Sequence, residues 1–287
     1  MSKTKKVREL LARDGVTIAP CAYDALSAKM IETAGFELAG TTGYGMHGAM
    51  LGTPDNGMLA FNEMADALGK MADAVSIPIM ADAEGGYGNA INTIRTVRTF
   101  EKAGLGGLFI EDQQLPPNCP LLKDTRLISV DEMVGKIKAA LDTRKDPDFV
   151  IVARTDAPFE EAVERCNIYA EAGADMVKTI PKSRKEMEEY PKRIKAPLHL
   201  GFVAKNGVND GLTAQDAGKM GYKIVTFPFV CLMANTRAVL TVLKDLREKG
   251  TDEGMLDMML TVPEYFSFIG ADHFKELDRK YLRANAL

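Results

Sequence analysis

One local phrase recurs along the chain: a helical stretch, a stop ending in glycine, then a short apolar run closing on polar or acidic residues. It is read at 31–42 (IETAGFELAGTT), 100–112 (FEKAGLGGLFIED), 168–180 (IYAEAGADMVKTI) and 217–227 (AGKMGYKIVTF). Gly35, Gly104 and Gly173 fall 69 residues apart, two strand–helix units per interval. Glycine is the expected helix terminator there. The runs that follow are aliphatic or β-branched, as parallel strands buried on both faces are. VTIAP, IPIMADAE, FVIVART and LHLGFV complete a set of eight predicted strands at 16–20, 37–42, 77–83, 107–111, 149–154, 175–179, 198–202 and 223–227. Segments between them, such as ALSAKMIETA, NTIRTVRTFEKA, SVDEMVGKIKAAL and EEAVERCNIYAEA, carry apolar residues at helical spacing. Eight alternations predict an α/β fold closed as a (β/α)8 TIM barrel rather than an open doubly wound sheet.

The 287 residues, 46% of them hydrophobic, suffice for one such barrel with extensions at both ends. We expect a catalytic barrel over 1–250 and a helical extension over 251–287, containing PEYFSFIGADHFKELDRKYL. Net charge is −4 with the signs interspersed, which predicts no nucleic-acid partner and no membrane surface. MSKTKKVREL lacks an apolar core behind its lysines, so no secretory signal is read, and a cytoplasmic location is expected. The four cysteines (Cys21, Cys119, Cys166, Cys231) form neither a zinc pattern nor a disulfide framework. No GxGxxG or GxxxxGK[ST] follows any strand.

Polar residues at the C-terminal ends of barrel strands are where chemistry is expected. Here they are Thr41-Thr42-Gly43, Asp82-Ala83-Glu84, Glu111-Asp112-Gln113, Arg154-Thr155-Asp156 and Lys178, with Asp55 on the loop GTPDNG. Carboxylates converging on one mouth repel each other unless a cation sits among them. An acidic, all-oxygen set suits a hard ion, Mg²⁺ with Mn²⁺ as a substitute. The three histidines (His47, His199, His273) are read as structural, and Asp112 as a cap or ion-pair partner. EGGYGN (84–89) suits both a tight turn and close backbone approach to a ligand. Lys178 has two readings: a Schiff-base nucleophile, or, favoured here, an ion pair inside the mouth. Cys119, in the proline-rich LPPNCPLL, is either inert or a general acid on a closing loop.

Over about residues 15–245 the chain resembles the isocitrate lyase/phosphoenolpyruvate mutase superfamily. The segments are PCAYDALSAKMIETAGF, TTGYGMHGAMLGTPDNG, IPIMADAEGGYGNAINTIRTVRTFEKAG, FIEDQ and VIVARTDA. The resemblance implies that Asp82 coordinates Mg²⁺, with Glu84 and Glu111 completing the site partly through waters and Asp55 beside it. It places Thr42, Gly43 and Tyr44 on the loop that grips the substrate carboxylate, and Arg154 against developing negative charge. It also implies a homotetramer, a dimer of dimers that exchanges C-terminal helices.

Lyases of the family carry K-[KR]-C-G-H on the gating loop. Here the aligned residues are Pro117-Asn118-Cys119-Pro120-Leu121, so the cysteine stands without basic neighbours. That suits proton donation better than a standing thiolate. LISVDEMVGKIKAALDTRKDP and VPEYF resemble the oxaloacetate decarboxylase branch instead. The expected activity is Mg-dependent carbon–carbon cleavage of a small 2-hydroxy dicarboxylate of methylisocitrate or dimethylmalate type, with Cys119, Arg154 and Asp55 catalytic. The alternative is an oxaloacetate decarboxylase or phosphonopyruvate-type hydrolase or mutase using the same metal. Pro117, Leu121, Leu122 and Phe227–Phe229 are expected to accommodate an alkyl group.

Overall fold

The computed structural model describes residues 1–117, 119, 125–203 and 205–282. Its strands are β1 (Thr17–Ala22), β2 (Ala39–Thr41), β3 (Ile79–Asp82), β4 (Gly107–Glu111), β5 (Val150–Thr155), β6 (Met176–Thr179), β7 (Leu198–Gly201) and β8 (Tyr222–Phe227). They pair in parallel in chain order and close on themselves, β8 against β1. The eight expected strands are all present, with ends displaced by at most a few residues. Helix α1 (Lys3–Ala12) precedes β1, and helices α2 (Ala25–Thr33), α3 (Gly43–Leu51), α4 (Phe61–Ala74), α5 (Ala90–Lys102), α6 (Val130–Thr143), α7 (Phe159–Glu171), α8 (Arg184–Arg193) and α9 (Ala214–Met220) intervene between strands.

The recurring glycine is a repeated piece of hydrogen bonding. After α2, α5 and α7, Gly35, Gly104 and Gly173 adopt φ of 87°, 78° and 105°. In each, the glycine N–H bonds back to Glu32, Glu101 or Ala170, and the next residue's N–H reaches Ile31, Phe100 or Tyr169. This closes the otherwise orphaned carbonyls of the last turn and turns the chain into the next strand.

The barrel has two cores. Val7 and Leu10 of α1 pack with Ala19, Leu38, Met80, Phe109, Val150, Val152, Met176 and Ile224 as the inner one. A larger outer core lies between strands and helices. With α1 packed into the lower interior, the inward positions near the strands' C-terminal ends are left to line a cavity.

The chain separates into two compact units, Met1–Leu232 and Met233–Leu287. The second holds most of α10 (Val230–Lys249), a 3₁₀ turn at Glu253–Met258, α11 (Val262–Phe268) and α12 (Ala271–Tyr281). The helical segment expected at its end is broken in two at Gly270, whose φ of 82° no continuing helix can hold. Leu240, Leu256, Leu260, Val262, Phe274 and Tyr281 of this unit are exposed. No helix among the described residues is long and apolar enough to cross a membrane.

Candidate active site

A cavity of about 370 Å³ opens at the C-terminal ends of the strands. The residues expected to be catalytic, to hold the metal or to bind the carboxylate all line it: Thr42, Gly43, Tyr44, Asp55, Asp82, Glu84, Glu111, Cys119 and Arg154; Pro117, expected beside an alkyl group, does not. Asn118, Pro120, Leu121 and Leu122 lie outside the described residues.

The acidic side is built by short-range constraints. Asp82 ends β3; its Oδ2 accepts from the Gly43 N–H (3.1 Å) and its Oδ1 from the Glu84 N–H (2.9 Å). Glu84 sits in the left-handed region at φ 50°, a conformation that costs a side-chain-bearing residue about 1–2 kcal/mol. The loop is held there by Lys136 Nζ donating to the Gly85 carbonyl (2.9 Å) and Thr96 Oγ1 donating to that of Gly86 (3.1 Å). EGGYGN is thus both a strained turn and a means of pointing a carboxylate inward. Glu111 ends β4, and its N–H bonds to the Glu84 carbonyl.

Burial raises the Glu84 carboxyl well above the usual range, reinforced by Asp82, Glu111 and Asp55. Burial likewise takes Glu111 up to about 8, outweighing the attraction of Arg154. Asp55 is raised by burial and by Asp82. Glu84 Oε1 and Asp55 Oδ1 are buried with no hydrogen-bond partner. Orphaned carboxylate oxygens among further carboxylates fit a divalent cation, which would remove the repulsion and use the unfilled lone pairs.

His47 lies close enough to Asp55 and Glu84 to suggest a ligand. Both its nitrogens are otherwise engaged. Nδ1 donates to the Gly43 carbonyl (2.9 Å) and Nε2 accepts from the N–H groups of Met58 and Leu59 (3.1 and 3.3 Å). His47 therefore ties the start of α3 to the loop after it, which carries Asp55. The structural role expected of it is the one its bonds describe.

At the start of α3 the Thr42 side chain makes no cap bond. Tyr44 and Gly45 stand in the first turn of α3, where N–H groups have no partner within the helix. Such N–H groups at a helix N-terminus beside the cavity suit a carboxylate. A methyl group at Gly43 would come within 2.8 Å of Glu84 Oε1 and within 3.2 and 3.3 Å of Asp55 and Asp82 oxygens. Gly43→Ala is therefore expected to weaken divalent-metal affinity by roughly 10–100-fold with unchanged helix content, as outer-sphere changes do. Calorimetric metal titration checks this, and wild-type affinity in the variant would refute it.

Arg154, from β5, is buried between acids. Its Nη1 is 2.9 Å from Glu111 Oε2, and Nε and Nη2 bind Asp156 bidentately at 2.9 and 2.8 Å. Gln113 Nε2 steadies Asp156 (2.8 Å). Two of the five Arg154 N–H donors are hydrogen-bonded, both to Asp156, while Nη1 is ion-paired with Glu111. The sequence marks Asp156 as a strand-end acid, and its position two residues beyond the arginine is the signal for this clamp. Asp112 behaves as expected, accepting from Tyr169 (2.8 Å) and pairing with Arg165 (3.0 Å).

Two expectations need correction. Lys178 forms no ion pair with a carboxylate among the described residues. Its Nζ lies 4.3 Å from the centre of the Phe109 ring, and burial with Arg154 beside it lowers its pKa to about 8. The strand register explains this, since Lys178 faces Arg154 on one side and His199 on the other. Phe227 does not line the cavity; alternation along β8 turns it onto Phe202 (5.4 Å), and Thr226 points inward instead. Pro228 and Phe229 do line it, and Phe229 meets Tyr44 edge-on at 5.2 Å.

The wall that sequence reading missed comprises Ile180, Met187, Val203 and Val208, with His199. Ile180, Val203 and Val208 belong to loops after β6 and β7, where no periodicity marks an inward position.

Residues 7–247 match a family model described as phosphoenolpyruvate phosphomutase. A 2,3-dimethylmalate lyase of Eubacterium barkeri is 38% identical over 289 residues, covering 98% of this chain and 99% of its own. A 2-methylisocitrate lyase of Aeropyrum pernix is 38% identical over 284 residues, covering 96% and 90%. Among solved structures, a phosphonopyruvate hydrolase in complex with oxalate and Mg²⁺ superposes with a TM-score of 0.89 at 30% identity, covering 99% of this chain and all of that one.

Proposed function

Because the chain belongs to the phosphoenolpyruvate phosphomutase family, within the isocitrate lyase/phosphoenolpyruvate mutase superfamily, we propose that it is a magnesium-dependent carbon–carbon lyase. Its substrate is a small, alkyl-bearing 2-hydroxy dicarboxylate of dimethylmalate or methylisocitrate type, cleaved to a 2-oxo acid and a carboxylic acid. The observation that carries this reading is the pairing, in one small cavity, of orphaned acid oxygens with a clamped arginine and the uncapped N-terminus of α3.

Asp82, Glu84 and Glu111 would hold the ion, with Asp55 beside it, and the bound ion would supply Lewis-acid stabilisation of the substrate oxygens. The N–H groups of Tyr44 and Gly45 bind the carboxylate next to the hydroxyl. Asp55, its basicity raised by burial, takes the hydroxyl proton. The C–O bond becomes a carbonyl as the adjacent C–C bond breaks, and its electrons pass into the departing carboxylate as an enediolate. Arg154 presents its guanidinium group to the charge that forms. Cys119, buried on the cavity wall, gives its thiol proton to the departing carbon. The apolar residues Ile180, Val203 and Phe229 suit the alkyl substituent.

The experiment is product analysis with a panel of C4–C7 2-hydroxy and 2-oxo diacids, with and without Mg²⁺. A pair of carboxylic acids from a 2-hydroxy diacid is expected. Turnover of 2-oxo acids alone would sink the reading in favour of a decarboxylase or hydrolase. Cys119→Ser should lower lyase turnover by roughly 10²-fold or more, the contribution of a positioned general acid. An unchanged rate would remove Cys119 from the mechanism.

The same reading has the enzyme working in the cytoplasm, in keeping with four cysteines none of which forms a disulfide. It also has the enzyme as a homo-oligomer, supported by the apolar residues exposed on the second unit.

A further inference from the structure

Among the described residues lining the cavity, the cations are Arg154, Lys178 and Lys182. Arg154 is committed to Glu111 and Asp156, and Lys182 is exposed. Lys178 differs from both. It is only 9% exposed and makes neither a hydrogen bond nor an ion pair among the described residues. Its ammonium group lies over the face of Phe109, 4.3 Å from the ring centre. A cation–π contact with the ring face returns only part of what burying an ammonium ion without a paired counter-ion costs, so the ring alone does not settle the charge.

The surroundings single out Lys178 as the positive element of its wall. His199 packs edge-on to the same Phe109 ring at 6.0 Å. Thr226 Oγ1 donates to the Leu200 carbonyl (3.3 Å), so the His199 Nε2 proton points to Thr226 (2.9 Å). Burial, with Lys178 and Arg154 nearby, keeps that ring neutral. The other charges bearing on Lys178 are Arg154 on β5, Asp82 on β3 and Asp156 after β5, with the Cys21 thiol on β1. In a closed ring of eight strands, β6 stands opposite β2, whose end leads into the carboxylate-binding start of α3.

We propose that Lys178, seated on Phe109 beside His199, is a specificity-determining residue that binds the second carboxylate of the diacid, the one on the fragment that departs. This deepens the lyase reading and rests on it. The two carboxylates would then span the cavity from α3 to β6, and the enediolate formed on cleavage would develop its charge against the ammonium group. The positive charge matters here rather than the amine's nucleophilicity.

The test uses Lys178→Met, which keeps the stem and removes the charge, with Lys178→Arg as the charge-retaining partner. Kinetics on the diacid cleaved by wild type are compared with inhibition by oxalate, which has no distal carboxylate and needs only the acidic side. Lys178→Met should lower kcat/KM for the diacid by roughly 30-fold or more, as loss of one partner in a buried charge pair does. Oxalate inhibition should change by less than about 3-fold, within the factor by which such contributions vary with context, and Lys178→Arg should recover part of the loss.

Equal turnover by wild type and Lys178→Met would overturn the proposal. So would a parallel loss of oxalate affinity, or a borohydride-stable substrate adduct on Lys178, which would mark an imine. If wild type cleaves no diacid, the lyase reading fails by itself. Calorimetric binding of the diacid to wild type and Lys178→Met with Mg²⁺ then decides this proposal separately, equal affinities refuting it.

Discussion

Replacing Arg154 with methionine should lower kcat/KM by roughly 10³-fold or more, since a preorganised donor aimed at developing charge contributes on that scale. The same substitution leaves two buried acids, Glu111 and Asp156, without the cation that holds both at 2.8–2.9 Å. Breaking one side of a buried pair costs about 3–5 kcal/mol, so a lower melting temperature accompanies the kinetic loss. Arg154→Lys separates the two effects. It restores a charge near the acids but not the bidentate geometry on Asp156, so stability should return further than turnover. A methionine variant retaining more than about a tenth of wild-type kcat/KM would exclude Arg154 from the transition state.

The second large effect is that of the cation. Chelation should cost roughly 10³-fold or more in turnover, because several kcal/mol of charge stabilisation is lost. The pH behaviour is more diagnostic. Glu111 in the folded chain titrates near 8 against an ordinary 4.5, and Glu84 is displaced in the same direction. Between those values the folded chain binds more protons than the unfolded one. These groups' contribution to stability therefore declines as pH rises through the window.

Metal binding expels the same protons, so affinity should climb over the same range. Melting curves near pH 5.5 and pH 8 should show the metal-free protein less stable at about the higher pH from these groups. Mg²⁺ at about 100 times its Kd should raise the higher-pH melting temperature by roughly 5–10 °C. A magnesium effect larger at the lower pH would contradict the assignment of these carboxyls to the ion.

The barrel was legible because its strands are buried on both faces and its helices stop at a glycine that hydrogen bonding requires. Gly35, Gly104 and Gly173 fix three of the reversals outright. The acidic half of the site was legible for a related reason: Asp82, Glu111 and Arg154 stand on strands, so their inward direction follows from alternation. Lys178 was placed correctly but paired wrongly, because which neighbour it meets depends on inter-strand register. The apolar wall, from Ile180 to Val208, comes from loops whose direction no local rule predicts. Helix α1 precedes the first repeat of the pattern, so nothing in its sequence marks Val7 and Leu10 as filling the barrel's lower interior.

The order of charges around the barrel makes its mouth a standing electric field. Acids occupy the ends of β3 and β4 and cations the adjacent positions on β5 and β6, all fixed by backbone pairing. Even with a doubly charged ion among four ionised carboxylates, that side stays negative and the other positive. A reaction that moves electrons from the first side to the second runs down this potential, whereas the same molecule docked end for end would have to run up it. The fold thereby selects the polarity of bond cleavage as well as the shape of the molecule cleaved.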